Sequence, residues 1–202
     1  MILASSSPRR KEILESVGAE FRVVTSEADE NVDASLAHDR AVCEIAKRKC
    51  DAVLEKLKTQ GELHDETLIL ACDTVVVYGG MRIGKPESDM HAMLTLGVLS
   101  DSWHSVYSGL AVYYKGSTVC RAARTDVKFR EISEEEIAAY TASGEPRGKA
   151  GSYAIQLGGS AFAERIEGEF NNVVGLPLTA LLALLREEFG IMPTDILHFK
   201  KT

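Results

Sequence analysis

Proline is scarce, with five in 202 residues, there is a single tryptophan, and aromatic residues make up only 6% of the chain. No internal repeat and no low-complexity linker is visible, which excludes solenoid, propeller and tethered-module organisations. The four cysteines, Cys43, Cys50, Cys72 and Cys120, form no C-x-x-C pair. A disulfide scaffold and a thiolate metal site both lack support, and buried free thiols are expected, with Cys43 and Cys50 on one packed helix face. The five histidines, His38, His64, His91, His104 and His198, are dispersed without an H-E-x-x-H spacing, which argues against zinc. A basic surplus is also missing: 23 Lys and Arg face 30 Asp and Glu, for a net charge of −7. Polymeric nucleic acid and anionic membrane are therefore not expected partners, and any anion site must be local. No apolar run approaches a membrane span, and Met1-Ile2-Leu3-Ala4 is too short for a signal h-region, so a cytoplasmic location is expected.

What is present is ordinary globular chemistry, 45% hydrophobic and 26% charged, enough to bury one large core or two small lobes. Ile2 to Ala4 reads as a buried strand, and Ser7-Pro8 as the cap and first position of a helix running to about Val17, which Gly18 stops. Phe21 and Val23 alternate as a strand before an acidic loop of Glu27, Asp29, Glu30 and Asp33. From about Leu36 to Leu57 the helical period places Val42, Ile45, Ala46, Val53 and Leu57 on one stripe. Leu68 to Val77 reads as a central strand covered on both faces. Gly79-Gly80 is a hairpin turn, and Asp89 to Leu99 a helix packed through Met90, Met93 and Leu94. Strands near Val106–Tyr114 and Thr118–Phe129 flank Lys115-Gly116. A capping box at Ser133 and Glu136 opens a helix that Gly144 and Pro146 close. A glycine-rich loop over 145–159, a strand near Phe162–Ile166 and a Leu-rich helix over Pro177–Phe189 complete the chain. The expected fold is one mixed-sheet α/β domain over residues 1–202, with flanking helices and two lobes around a cleft.

Several charges sit where packing alone would not put them. Arg9, Arg10 and Lys11 occupy a first helical turn, against the partial positive charge of the helix N-terminus, at about 0.3–1 kcal/mol each. A solvated basic turn is the plain reading. A serine-rich lead-in instead suggests that Ser5, backbone N–H groups and guanidinium groups converge on a phosphate. Asp73 interrupts an apolar strand, so it must be paired, metal-bound or neutral. It either caps a loop at the strand end or pairs with an arginine, or together with Glu30 it holds a hard divalent ion through oxygen ligands. Lys49 lies on the apolar stripe with Ala46 and Val53, and Lys85 between Gly84 and Pro86. Singly these are snorkelling or surface lysines; with Lys149 they can neutralise a polyanion such as a triphosphate. Gly144 to Ala150 fails the Walker pattern in spacing and at Ala150, and neither G-x-G-x-x-G nor G-x-S-x-G occurs, so kinase, P-loop, dinucleotide-binding and serine-hydrolase readings lose their support.

Ala4-Ser5-Ser6-Ser7-Pro8-Arg9-Arg10, Cys72-Asp73-Thr74-Val75-Val76 and Gly84-Lys85-Pro86 resemble the Maf family of nucleoside triphosphate pyrophosphatases. Gly144-Glu145-Pro146, Lys149 through Gln156 and Asn172 through Leu178 continue the resemblance, which covers residues 1–189. The resemblance implies an elongated mixed α/β fold with a cleft and a divalent metal, Mg²⁺ or Mn²⁺. It also implies hydrolysis of a nucleoside triphosphate to monophosphate and pyrophosphate, and a homodimer. It makes Asp73 the general base or a metal-bound carboxylate and Arg9, Thr74 and Gln156 substrate-specificity positions. Glu30, Lys49 and Lys85 match its polar site positions. The Lys149-Ala150-Gly151 and Ile155-Gln156 form is similar to the branch acting on dTTP and UTP. One departure is that Gly148 replaces the usual Asp before the motif lysine, with Arg147 ahead of it. The competing expectations are a non-catalytic nucleotide-binding regulator of cell division and a broad-range enzyme clearing modified nucleotides.

Overall fold

The protein is described by a computed structural model covering residues 1–25 and 27–198, and the chain divides into two compact units. The first comprises Met1–Asp73, Ser108–Ala123 and the segment from Gly175; the second comprises Thr74–Tyr107 and Arg124–Val174. In the first unit, β1 (Ile2–Leu3) pairs in parallel with β2 (Arg22–Val23) and with β3 (Ile69–Tyr78), with Ile2 opposite both Arg22 and Ile69. Parallel pairing needs long crossovers. These are supplied by α1 (Pro8–Ser16) and α2 (His38–Gln60). The buried residues of α2 recur at helical spacing from Ala41 to Leu57, and Ala46, Cys50, Val53, Leu54 and Leu57 pack on Ile2, Ala4, Ile69, Ala71 and Ala111. Gly61, at φ +68°, ends the helix in the left-handed region that favours glycine. α2 lies so close to β5 (Trp103–Tyr114) that a Cβ on Gly109 would meet the Val42 backbone carbonyl at 2.3 Å.

In the second unit, β3 turns at Gly79 and Gly80 (φ +55° and +78°) into β4 (Met81–Ile83), with Val76 opposite Ile83. Positive φ at both central residues is the hairpin geometry that glycine pairs favour. α3 (Asp89–Leu99) is capped by Ser88, whose hydroxyl accepts from the His91 N–H, and α4 (Glu134–Ala142) by the Ser133–Glu136 capping box. β6 (Ser117–Phe129) pairs antiparallel with β7 (Ala163–Glu167). The strand order is β2-β1-β3-β5-β6-β7, with β4 on β3, a mixed seven-stranded sheet. α5 (Phe170–Val174) is anchored by buried Asn172, whose Nδ2 donates to the Val106 carbonyl and the Thr125 hydroxyl, both at 3.0 Å. α6 (Leu178–Phe189) and α7 (Pro193–Ile196) follow and belong to the first unit. No helix among the described residues is long and apolar enough to cross a membrane.

Three local expectations need correction. Ser7 takes the cap position of α1, but its side chain makes no capping bond, because the preceding loop is organised around Ser5 instead. α3 is turned from its expected face: Ala92, Thr95, Leu96 and Leu99 are buried, Met93 is half-buried, and Met90 and Leu94 are each 64% exposed. The helix is apolar nearly all round, so periodicity had no contrast to orient it. Cys50 is buried whereas Cys43 is half-buried, both as free thiols.

His104 is buried with Nε2 2.8 Å from the Tyr153 hydroxyl, and its ring stands edge-on to Phe129. Burial pushes its imidazole down to about 4, partly countered by Asp126. The unfolded chain therefore binds a proton that the folded chain refuses, so stability is complete above about pH 6.5 and falls by up to about 3 kcal/mol as pH drops towards 4. Urea unfolding at pH 7 and pH 4.5 should show this loss, with a shallower dependence in His104→Gln. Gly109→Ala should destabilise by about 3 kcal/mol, because backbone rather than a yielding side chain opposes the methyl. A fall in Tm of roughly 6–12 °C by calorimetry is the expected result.

Candidate functional site

The serine loop after β1 and the first turn of α1 form one hydrogen-bonded assembly. The Ser5 hydroxyl accepts from the Ser7 N–H at 3.2 Å and from Arg10 Nη1 at 2.9 Å. Arg10 Nε donates to the Gly175 carbonyl at 2.8 Å, and the same carbonyl accepts from the Cys72 thiol at 3.3 Å. Arg10 thus braces the loop to the chain entering α6 and to β3, and its guanidinium is oriented by fixed partners. Arg9 is half-buried, and its guanidinium is held below the usual arginine range by burial first and by Arg10 second, against a smaller opposite effect of Glu12. A bound anion would favour the charged form and so oppose both effects.

Asp73 is stabilised in β3 by a cation from α2. Lys49 Nζ lies 2.7 Å from Asp73 Oδ1 and 2.8 Å from Glu30 Oε1. Lys49 and Asp73 side chains are only 14% and 15% exposed, whereas Glu30 is 58% exposed. Lys49 occupies a core-facing position of α2, with the ammonium reaching past the apolar stripe to the strand. Asp73 is thus paired, but with a lysine from α2 rather than with the arginine expected. The donor set is oxygen only, and no cluster of three His, Cys, Asp or Glu suited to a metal occurs among the described residues. Two carboxylates fit a hard divalent cation that keeps waters and takes the rest of its shell from phosphate oxygens.

The other expected residues belong to the second unit. Thr74, half-buried, follows Asp73 in β3, and Lys85 is exposed just beyond β4. The Gly84 carbonyl accepts from the Gly151 N–H at 3.2 Å, which ties the Lys85 segment to the glycine-rich loop carrying Lys149 and half-buried Gln156. Gly151 has φ +71°, and a Cβ there would meet Val76 Cγ2 at 2.7 Å. Ser152 follows at φ +63°, a left-handed conformation that is strained for a non-glycine residue. Lys149 Nζ donates to the Glu145 carbonyl. Arg147, the added positive charge of this sequence, forms a two-bond pair with Asp89 at 3.0 and 3.2 Å. Its charge is therefore answered within the exposed surface at the start of α3.

Sequence reasoning missed three contributors: the Gly175 carbonyl, the Cys72 thiol as its donor, and Glu145, whose carboxylate accepts from Tyr140 and from the loop backbone. Glu145 was visible only as the centre of Gly144-Glu145-Pro146. The carbonyl carries no sequence signal at all.

The unequal burial around Lys49 has a measurable consequence. In double-mutant cycles by urea unfolding, Lys49→Met with Asp73→Asn should show a coupling of about 1–3 kcal/mol. Lys49→Met with Glu30→Gln should show less than about 1 kcal/mol, because solvent screens the exposed carboxylate. Equal couplings would contradict the geometry.

A family described as Maf-like protein matches residues 1–188. The chain is 42% identical over 198 residues to proteins named dTTP/UTP pyrophosphatase from Bacillus cereus (strain AH820) and Bacillus thuringiensis subsp. konkukian (strain 97-27). The alignment covers 98% of this chain and 98% of each of theirs. A Bacillus anthracis protein of the same name is likewise 42% identical over 198 residues. With the serine–arginine assembly, the Asp73–Lys49–Glu30 triad and the glycine-rich loop all within the matched span, the chain belongs to the Maf-like protein family.

Proposed function

We propose that the protein hydrolyses nucleoside triphosphates, dTTP and UTP foremost, to nucleoside monophosphate and pyrophosphate. It acts in this reading as a single domain over residues 1–202, in the cytoplasm and as a homodimer, and serves to clear the nucleotide pool. The observation that carries the reading is the oxygen-donor pair Glu30 and Asp73 gathered on Lys49 at 2.8 and 2.7 Å, in a chain 42% identical to proteins named for this activity.

Glu30 and Asp73 would hold a divalent cation, Mg²⁺ or Mn²⁺, which when bound supplies Lewis acidity to phosphate oxygens. Asp73, fixed by β3 and by Lys49, orients a water and takes its proton as the water oxygen bonds to the α-phosphorus. The bond from the α-phosphorus to the bridging oxygen breaks, and pyrophosphate leaves with that oxygen. Ser5 and Gly175 hold Arg10 ready, so with Lys49 it offers positive charge that needs no reorganisation as negative charge develops. Arg9 joins Thr74 and Gln156 as specificity positions, and the Gln156 amide can both donate to and accept from a pyrimidine edge. Lys85 and Lys149 neutralise phosphate charge, and Ser5 contributes its hydroxyl to the phosphate-binding loop.

The test is incubation with Mg²⁺ or Mn²⁺ and a panel of dTTP, UTP, CTP, 7-methyl-GTP and modified triphosphates, following pyrophosphate and orthophosphate separately. Pyrophosphate should be released chiefly from dTTP and UTP. Asp73→Asn should lower turnover by about 10³-fold while the amide keeps an acceptor for Lys49 and the fold. Near wild-type turnover in this variant would overturn the role of Asp73. Nucleotide binding without hydrolysis would favour the regulator, and equal kcat/KM across the panel the broad-range enzyme.

A further inference from the structure

Within the second unit, one side chain closes the loop that carries Lys149 and Gln156. The Glu145 carboxylate accepts from the Tyr140 hydroxyl at 2.7 Å and the Gly159 N–H at 3.1 Å through Oε1, and from the Gly158 N–H at 3.2 Å through Oε2. The Tyr140 hydroxyl in turn accepts from the Ala154 N–H at 3.0 Å. The carbonyl of Glu145 takes Lys149 Nζ. A single residue therefore grips the loop near its start through the carbonyl, and near its end through the carboxylate.

The glycines of the loop are what this grip requires. A Cβ on Gly158 would stand 3.1 Å from Glu145 Oε2, and one on Gly159 would meet the Ala154 carbonyl oxygen at 2.7 Å. Both backbones come close to the carboxylate or to the preceding turn because neither carries a side chain. Tyr140 is set by its edge-on contact with Phe162, ring centres 4.9 Å apart. Its phenol is pushed up by burial and by the Glu145 carboxylate, so it stays a proton donor to that carboxylate. Three N–H or O–H donors on one carboxylate make a strong, directional clamp.

We infer that Glu145, with Tyr140, is the positioning residue of the nucleotide-binding loop: it sets the backbone from Lys149 to Gly159 and thereby the placement of Lys149 and Gln156. The inference rests on the pyrophosphatase reading for its kinetic consequence but not for the clamp itself. Glu145 touches neither substrate nor reacting atoms in this role. Its loss weakens ground-state recognition of the phosphates and the base, and leaves the chemistry at Asp73 nearly intact.

The experiment compares Glu145→Ala, Glu145→Gln and Tyr140→Phe with the wild type in two measurements. Amide hydrogen exchange without nucleotide should rise by about tenfold or more at residues 154–159 in Glu145→Ala while α2 is unchanged. For UTP, KM should rise by about tenfold with kcat within about threefold, and the preference for UTP over CTP should narrow. Glu145→Gln keeps the shape but loses one acceptor, and Tyr140→Phe loses one donor. Both should move every readout in the same direction by less, which keeps the test decisive should the alanine variant not fold. Wild-type exchange in the loop, or a fall in kcat with KM and base preference unchanged, would overturn the inference. If the wild type hydrolyses no nucleotide, the pyrophosphatase reading fails, and the exchange measurement alone decides the clamp.

Discussion

A carboxylate in the middle of a buried strand has to be answered by a cation, and much of the first unit is arranged around that demand. Asp73 sits where β3 passes from fully buried residues, Ile69 to Cys72, to half-buried ones. The answering charge, Lys49, costs α2 an apolar position on the stripe that otherwise packs against β1 and β3. Such a pair is weak as a source of stability, since desolvating both charges offsets most of their attraction. Under the proposed function the pair serves chemistry rather than folding. Exposed Glu30 puts a second carboxylate on the one ammonium, an excess negative charge that, under the proposed function, a divalent cation would neutralise.

The basic first turn of α1 follows the same logic with the opposite sign. Arg9 and Arg10 oppose the helix dipole and each other. Arg10 is held by Ser5 and by the Gly175 carbonyl, far away in sequence, so its position is set before any ligand arrives. Burial and Arg10 both work against the charge of Arg9. In the proposed hydrolysis, positive charge preorganised in this way would meet a developing phosphate anion without protein reorganisation. In the second unit Ser152 holds a left-handed conformation beside Gly151, and the glycines at 158 and 159 allow a close approach to Glu145 and Ala154 that a Cβ would block. A strained Ser152 and charges out of place thus fall in the segments that the proposed function uses.

Much of this was legible along the chain. The helix through Val42, Ile45, Ala46, Val53 and Leu57 declared itself by period, the Ser133–Glu136 box by its capping chemistry, and Gly79-Gly80 and Lys115-Gly116 by their turn residues. Asp73 and Lys49 were conspicuous because each broke an apolar pattern, and a broken pattern can be seen without coordinates. The orientation of α3 was not legible, since Met90, Met93, Leu94, Leu96 and Leu99 surround the helix. Nor was the missing side-chain cap at Ser7, because Ser5, two residues earlier, was an equal candidate for organising that loop.

Local chemistry along the chain therefore settled which elements form and which residues are out of place: periodicity, capping and turn preferences act over a few residues and leave a mark at each one. Pairing was settled only by folding. That Lys49 would meet Asp73 across 24 positions, that Arg10 would find the carbonyl of Gly175, and that the Glu145 carboxylate would collect Tyr140 and two glycine N–H groups depend on distances between elements. Backbone carbonyls and N–H groups are the same at every residue, so nothing in the order of side chains can say which of them a distant donor or acceptor will reach.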